Sequence, residues 1–400
     1  MAKPEERLAS LDAYRGLIML TLAAAGFGLA NTAKQFPDSS AWRYIEFHFD
    51  HPVWISQKWV AGVSYWDLIQ PSFMFMVGVA LPFSYGKRSE RGDPYWRLLL
   101  HALVRSLVLI ALGVFLASAW SKQTDWVFVN VLAQIGLGYM LVFFLWGKRT
   151  AVQIAVCVLI LVVYWLCFLV HNVPGALRIA DHFQIHTNFA AQMDMILLDW
   201  LPREKPLQPN RGGYATLNFI PSAVTMIFGL MSGELLRSDR SRGQKVLRLL
   251  GAAALCLGLG ITAGYTICPV VKRIWTPSWT LFSGGYVLAI LALFYLVVDV
   301  IGLKRWTYPL CVLGANSILV YMMGQLLHKW TAEQLRIHFG RLLFERVADE
   351  CQQLVNYLLI PGSRTLWPGS YAPIVEACLV LLVFWLLSWW LYRQKLFVRI

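Results

Sequence analysis

Apolar residues in this chain neither alternate with polar ones, as in a half-buried strand, nor form the one-sided stripe of a surface helix. They come in nearly unbroken windows of about twenty residues separated by polar stretches. At a rise of about 1.5 Å per residue, such a window spans the hydrocarbon of a bilayer. The windows fall near Tyr14–Ala30, Tyr65–Tyr85, Leu98–Trp120, Phe128–Trp146, Ala151–Val170, Ala215–Leu236, Leu249–Pro269, Thr280–Val300, Pro309–His328 and Pro373–Tyr392. The pattern predicts an all-α polytopic membrane protein, about ten transmembrane helices in one bundle, with residues 1–400 as a single domain.

The first window could pass for a cleaved leader. Ser10, however, is placed to cap a helix that starts before the apolar run, and Asp12 and Arg15 sit one turn apart on it, so the segment is read as a retained first span. Lys87, Arg88, Arg91 and Arg97, then Lys148 and Arg149, then Arg237, Arg240, Arg242, Lys245 and Arg248, then Lys304 and Arg305, and last Arg393, Lys395 and Arg399 fill alternate connections. The positive-inside rule then puts both termini in the cytoplasm and three long loops, about 31–64, 171–214 and 329–372, outside. In the third, Leu335, Phe339, Leu342, Leu343, Val347, Leu354 and Leu358 recur at near-helical spacing with charges between them, which predicts an amphipathic helix on the outer surface or capping the bundle.

Composition agrees with this picture: 58% of residues are hydrophobic and 14% charged, far from the roughly quarter charged of a soluble globule. It also removes the usual meaning of the net charge of +13, because a membrane protein concentrates Lys and Arg in its inner loops; nucleic acid is not expected as a partner. The seven cysteines form no CxxC pair, so neither a disulfide framework nor a metal site is indicated.

Every histidine except His101 lies in or at the end of an outer loop, which places any chemistry on that side. The stretch His48-Phe-Asp-His-Pro-Val-Trp drops into a span that opens with Asp67, and ionisable groups at the edge of hydrocarbon are costly unless something uses or pairs them. His51, Asp50 and Asp67 are therefore candidate catalytic residues. Trp54, Trp59, Tyr65 and Trp66 around them suit an interfacial belt and a sugar-binding wall equally, and Trp275 and Trp279 in a short outer loop carry the same two readings. Within the spans Arg105, Asn130, Gln134, Asn218, Asn316 and Glu376 could line a polar passage; the structural alternative for Arg105 is an ion pair with Asp12 or Glu234. Pro71, Pro221, Pro269, Pro277 and Pro373 are candidate helix breaks along such a passage.

Several stretches resemble the family of heparan-alpha-glucosaminide N-acetyltransferase, in family order over most of the chain. They are Arg7-Leu-Ala-Ser-Leu-Asp-Ala-Tyr-Arg-Gly, His51-Pro-Val-Trp followed by Asp67-Leu-Ile-Gln-Pro-Ser-Phe-Met-Phe-Met-Val-Gly, Asn130-Val-Leu-Ala-Gln-Ile, Leu217-Asn-Phe-Ile-Pro-Ser, Trp275-Thr-Pro-Ser-Trp and Gly314-Ala-Asn-Ser-Ile-Leu-Val-Tyr-Met. The sequence departs from the family pattern at Gly26, where the animal enzyme is expected to carry asparagine, and at Gln134, where arginine is usual. The resemblance implies a transmembrane acyltransferase of the bacterial inner membrane, moving acetyl from cytosolic acetyl-CoA to a small-molecule or glycan acceptor, such as an amino sugar, on the periplasmic side. It implies His51 as the catalytic histidine, with Arg105, Asn130, Gln134, Asn316, Arg237 and Arg240 toward acetyl-CoA, and Trp54, Trp275, Trp279 and His186 toward the acceptor. A homodimer is an allowed assembly. The alternative readings are a sugar or amino-sugar transporter that would use the same polar bundle without acyl chemistry, and a structural scaffold.

Overall fold

The structure, a computed structural model, describes residues 8–52, 54–202, 206–340, 344–350, 353 and 370–398. Helices dominate, with one short antiparallel hairpin pairing Gln57 with Val63 and Lys58 with Gly62. The chain divides into two compact units: Met1–Pro52, Ser64–Ile69 and Ile301–Arg399 form the first, and Val53–Val63 with Gln70–Val300 form most of the second.

Among the described residues, seven helices are long and apolar enough to cross a membrane, or up to nine if each of two bent pairs counts as one span. The expected ten are thus not all present as single spanning helices, and each exception has a local cause. The window Phe128–Trp146 yields only the helix Val131–Leu145, because Asn130 takes the N-cap position and its carboxamide oxygen accepts from Ala133 N at 3.0 Å. The first window is bent by 49° between Ala9–Ala23 and Ala25–Ala33, and the ninth by 70° between Arg305–Ala315 and Ser317–Leu326.

Neither bend falls at a proline. Pro71 and Pro82 ride inside the continuous helix Tyr65–Glu90, whereas Pro277 and Pro373 occupy first helical turns, where the N–H that proline lacks would have no partner anyway. The first bend instead comes from a left-handed run, with φ of 44° at Ala25, 66° at Gly26, 58° at Phe27 and 66° at Gly28. At Gly28 the backbone also presses on the next layer, since a Cβ there would overlap the Pro373 carbonyl. The second bend sits at Asn316, whose backbone leaves the helical region and whose side chain ties down the tail: Nδ2 donates to Leu396 O at 3.1 Å and Oδ1 accepts from Val398 N at 2.8 Å.

Within the first unit, Ala9–Ala23 packs directly on Tyr308–Ala315. The aromatic group Phe36, Trp42 and Tyr371 forms a second core with Phe344, Ala348 and Val375. Leu335 and Val347 of the expected amphipathic segment pack against that core; Leu342, Leu343, Leu354 and Leu358 lie outside the described residues. The segment begins as the helix His328–Phe339, which Arg336 joins to Glu376 by an ion pair.

Within the second unit, the spanning stretches of Thr216–Arg237 and Pro277–Val300 are 72% and 61% buried, against 28% for Thr150–Val170 and Arg242–Thr266, so the first two are central and the others present their apolar side chains outward. Helix Phe219–Arg237 meets the 70–90 stretch backbone to backbone. A Cβ on Gly78 would overlap Met226 O, and one on Gly229 or Gly233 would overlap the carbonyl oxygens of Phe75 or Val79. Small residues at such positions let membrane helices approach closely enough to gain van der Waals packing where no hydrophobic driving force operates. At one end Tyr164, Phe168, Phe183, Val271 and Ile274 close a core, with the Tyr164 hydroxyl donating to Ile274 O at 3.0 Å.

Candidate active site

The segment between the helix Ser40–Phe49 and the helix Tyr65–Glu90 is pinned at both ends in the first unit. The Ser64 hydroxyl donates to Asp50 O at 2.9 Å and lies 3.3 Å from His48 O, so the residues entering and leaving the loop are fastened to one side chain. Tyr65 then meets Thr21 of the first span, hydroxyl to hydroxyl, at 3.0 Å. These contacts fix where the next turn of helix points Asp67.

Asp67 is 2% exposed, and its Oδ1 lies 2.7 Å from His51 Nδ1. A buried carboxylate in a first helical turn is favoured by the N–H groups and dipole there, and it selects the ring tautomer whose Nδ1 carries the proton. Nε2 is then the lone-pair nitrogen. The His51 side chain is a third exposed, so the ring is partly accessible while its Nδ1 is held. Trp66 flanks the ring, with centroids 6.4 Å apart and planes tilted by 58°. A Cβ on Gly26 would come within 3.2 Å of the Trp66 ring and 3.4 Å of Phe49, which places the left-handed run of the first span against the same group.

Asp50 holds a different position from Asp67. Its carboxylate accepts from the His51 backbone N–H at 2.7 Å and pairs with Lys34 at 3.6 Å, and both of these side chains are half exposed. It shapes the loop, whereas Asp67 touches the imidazole. Ser64, Thr21 and Lys34 were not singled out from sequence; only Ser64, directly before the span, carried a readable signal.

The remaining sequence candidates, apart from Asn316 and Glu376, lie in the second unit. Asn130 donates to Gly113 O at 2.9 Å besides capping its helix, and Gln134 Nε2 donates to Phe128 O at 2.9 Å and Thr216 O at 3.0 Å. Asn218 Nδ2 donates to Arg273 O at 2.8 Å. Trp54 donates its indole N–H to Phe183 O at 3.0 Å. Trp275 and Trp279 are fully buried, inside the unit instead of at an interfacial belt. Arg237 spans from Pro82 O to the Glu90 carboxylate at 2.6 Å, and Arg240 is exposed. His186, with φ of 67°, lines a cavity of about 380 Å³ together with Asp125, Asp194 and Tyr214. Asn316 belongs to the first unit and gives both amide atoms to the tail.

Several polar atoms buried in the second unit have no hydrogen-bond partner among the described residues: Gln134 Oε1, Asn218 Oδ1, Thr225 Oγ1, Trp275 Nε1 and Trp279 Nε1. Leaving such a group unmet costs about 1–3 kcal/mol, so these positions are where the second unit has polar capacity to spare. No cluster of three or more metal-ligating side chains occurs among the described residues.

Compared with known proteins, the chain matches over residues 7–260 the family described as "Heparan-alpha-glucosaminide N-acetyltransferase, catalytic". It is 24% identical over 412 residues to heparan-alpha-glucosaminide N-acetyltransferase of Homo sapiens, the alignment covering 88% of this chain and 58% of that one. The Mus musculus protein of the same name is also 24% identical, with 88% and 59% covered. The chain thus spans somewhat under three fifths of the length of these relatives. His51, Asp67, Gln134 and Arg237 fall inside the family match, whereas Trp275, Trp279 and Asn316 lie beyond it.

Proposed function

Since this chain belongs to the heparan-alpha-glucosaminide N-acetyltransferase catalytic family, we propose that it is a membrane acyltransferase carrying acetyl from acetyl-CoA to the amine of an amino sugar or glycan. The donor enters from the cytoplasm and the acceptor from the periplasmic side of a bacterial inner membrane. The observation that carries this reading is the His51–Asp67 pair, a half-open imidazole whose inner nitrogen is held by a buried carboxylate.

In this mechanism Asp67 keeps the His51 ring in one tautomer and stabilises the imidazolium when it forms. Nε2 takes the proton from the acceptor nitrogen as that nitrogen bonds the acetyl carbon and the carbon–sulfur bond breaks; the proton then passes to the departing thiolate. The same Nε2 could instead accept the acetyl group first and hand it on, and both routes ask the same of Asp67. Trp66 beside the ring excludes water and offers a flat face to a saccharide.

Acetyl-CoA supplies the activated acetyl group. Its pantetheine arm carries two amides, which the unmet donors and acceptors of Gln134, Asn218, Trp275 and Trp279 are suited to meet, and exposed Arg240 is suited to the phosphates. His186, Trp54 and the cavity beside Asp194 offer polar and aromatic groups to the acceptor. The transporter alternative draws no support from the relatives, whose names are those of N-acetyltransferases.

The test is thiol release by purified protein in detergent. Free CoA should appear from acetyl-CoA only when glucosamine is present, with N-acetylglucosamine formed in equal amount. Glucosamine uptake into proteoliposomes without any thiol release would overturn the reading.

A further inference from the structure

Arg105 lies ten residues into the helix Tyr95–Ser118, and among the described residues it has neither a hydrogen bond nor a carboxylate. The carboxylates that could have paired with it are engaged elsewhere: Asp12 bridges to Arg15, and Glu234 accepts from Gly147 N and Gln153 Nε2. Its guanidinium instead stacks 5.1 Å from the centre of the Tyr139 ring, with Nε buried. The Tyr139 hydroxyl donates to Tyr85 Oη at 3.3 Å, and Tyr85 Oη is 3.3 Å from His101 Nδ1.

His101 is one turn before Arg105 on the same stripe, and Arg88 stands close enough to act on Tyr85 and His101 through its charge. Three basic side chains and two hydroxyls thus gather here, and among the described residues no carboxylate is paired with any of them. A cation kept in an apolar helix without a partner is costly, which makes an absent counter-charge the natural reading.

The position of the cluster says where that counter-charge comes from. Helical side chains lean toward the helix N-terminus, so Arg105 reaches toward the Tyr95 end and the level of the membrane interface. Leu100, Leu103, Val104 and Leu107 on the same helix are 42–56% exposed and face outward, and a rotation of about 100° per residue puts Arg105 and His101 at the border between that face and the buried one. Arg105 and His101 are partly exposed at that border, and Tyr85 and Tyr139 behind them are fully buried.

The geometry points to a bound phospholipid whose phosphate diester is held by Arg105, with His101 and Arg88 beside it, in the leaflet at the Tyr95 end of the helix. This departs from the expectation that Arg105 serves acetyl-CoA, and it does not depend on the proposed transfer reaction.

Native mass spectrometry of the full chain, delipidated in mild detergent and resupplied with phosphatidylglycerol, tests it. Wild type should retain one phospholipid, Arg105→Gln should lose at least tenfold in occupancy, Arg105→Lys should retain part, and His101→Gln should fall severalfold. Excess acetyl-CoA should leave the lipid in place. Equal retention by Arg105→Gln and wild type overturns the proposal, and so does stoichiometric displacement by acetyl-CoA, which would assign the phosphate to CoA. Should Arg105→Gln fail to fold, wild type decides: phosphatidylglycerol should raise its melting temperature where inorganic phosphate does not, and no difference between the two sinks the site.

Discussion

His51 Nδ1 and Asp67 Oδ1 meet at 2.7 Å although the residues are 16 apart in sequence, because Ser64 fastens the loop that separates them. The relationship makes the two side chains one functional group, with the carboxylate acting only through the ring. Replacing His51 by Ala should lower acetyl transfer by about a hundredfold to ten-thousandfold while leaving the protein folded, since a half-open loop residue holds no core together.

Asp67→Asn tests the positioning role. The amide can donate to Nδ1 and so favours the opposite tautomer, with the proton on Nε2. The turnover number should fall on the order of a hundredfold, with little change in KM for acetyl-CoA. Asp50→Asn, by contrast, alters an exposed pair with Lys34 and should cost much less. Equal losses for the two variants would remove the distinction between them.

Gly28→Ala should be among the most damaging single-methyl changes in the first unit. It forces a Cβ onto the Pro373 carbonyl at a backbone φ of 66°, and a loss of roughly 2–3 kcal/mol is expected, read as a lower melting temperature. Gly26→Asn, where the left-handed conformation suits asparagine and the neighbouring atoms are the movable rings of Trp66 and Phe49, should be tolerated far better.

Asn316→Ala removes both hydrogen bonds to the tail. Because Leu396 and Val398 are half exposed, water replaces part of the loss, and a cost of about 1 kcal/mol is expected. Hydrogen exchange should show the Val398 amide opening roughly tenfold more often.

The turn around Asp181 should be acid-resistant. Backbone N–H groups of Arg178 at 2.9 Å and Leu177 at 3.1 Å hold its carboxyl below the usual aspartate range. A depressed folded value contributes stability that is complete above the unfolded value of about 3.9 and lost only as pH falls through the lower folded one. Exchange at the Leu177 and Arg178 amides should therefore stay slow down to that lower range in wild type and be fast at every pH in Asp181→Ala.

Each of the seven described helices long and apolar enough to cross a membrane falls on an apolar window, because burial in lipid is written in continuous runs of side chains. Ten windows did not, however, yield ten such helices among the described residues. Nor did the windows locate the bends. Proline was the visible break signal, yet Pro277 and Pro373 start helices and Pro71 sits inside one, while the chain turns at Ala25–Gly28 and Asn316 through backbone conformations set by tertiary contacts. The site was legible where charge met hydrocarbon, at Asp67 beside a histidine-bearing loop. Lys34 and Thr21 were not, since nothing local to either residue says which loop folds back on it. Asn130 and Asn316 drew attention as polar groups in apolar runs; each spends its amide on backbone groups, as an N-cap in one case and as a tether to the distant tail in the other.

The contact between Gly78, Gly229 and Gly233 and the opposing carbonyls bears on how this sequence can drift. When two side chains interlock, an enlargement on one can be answered by a reduction on the other, and the pair leaves a record of joint change. A carbonyl oxygen belongs to every residue and cannot be trimmed by any substitution at Met226, Phe75 or Val79. These glycines therefore have no partner able to compensate for them, and in an alignment of relatives they should vary little while showing no covariation with the residues they touch.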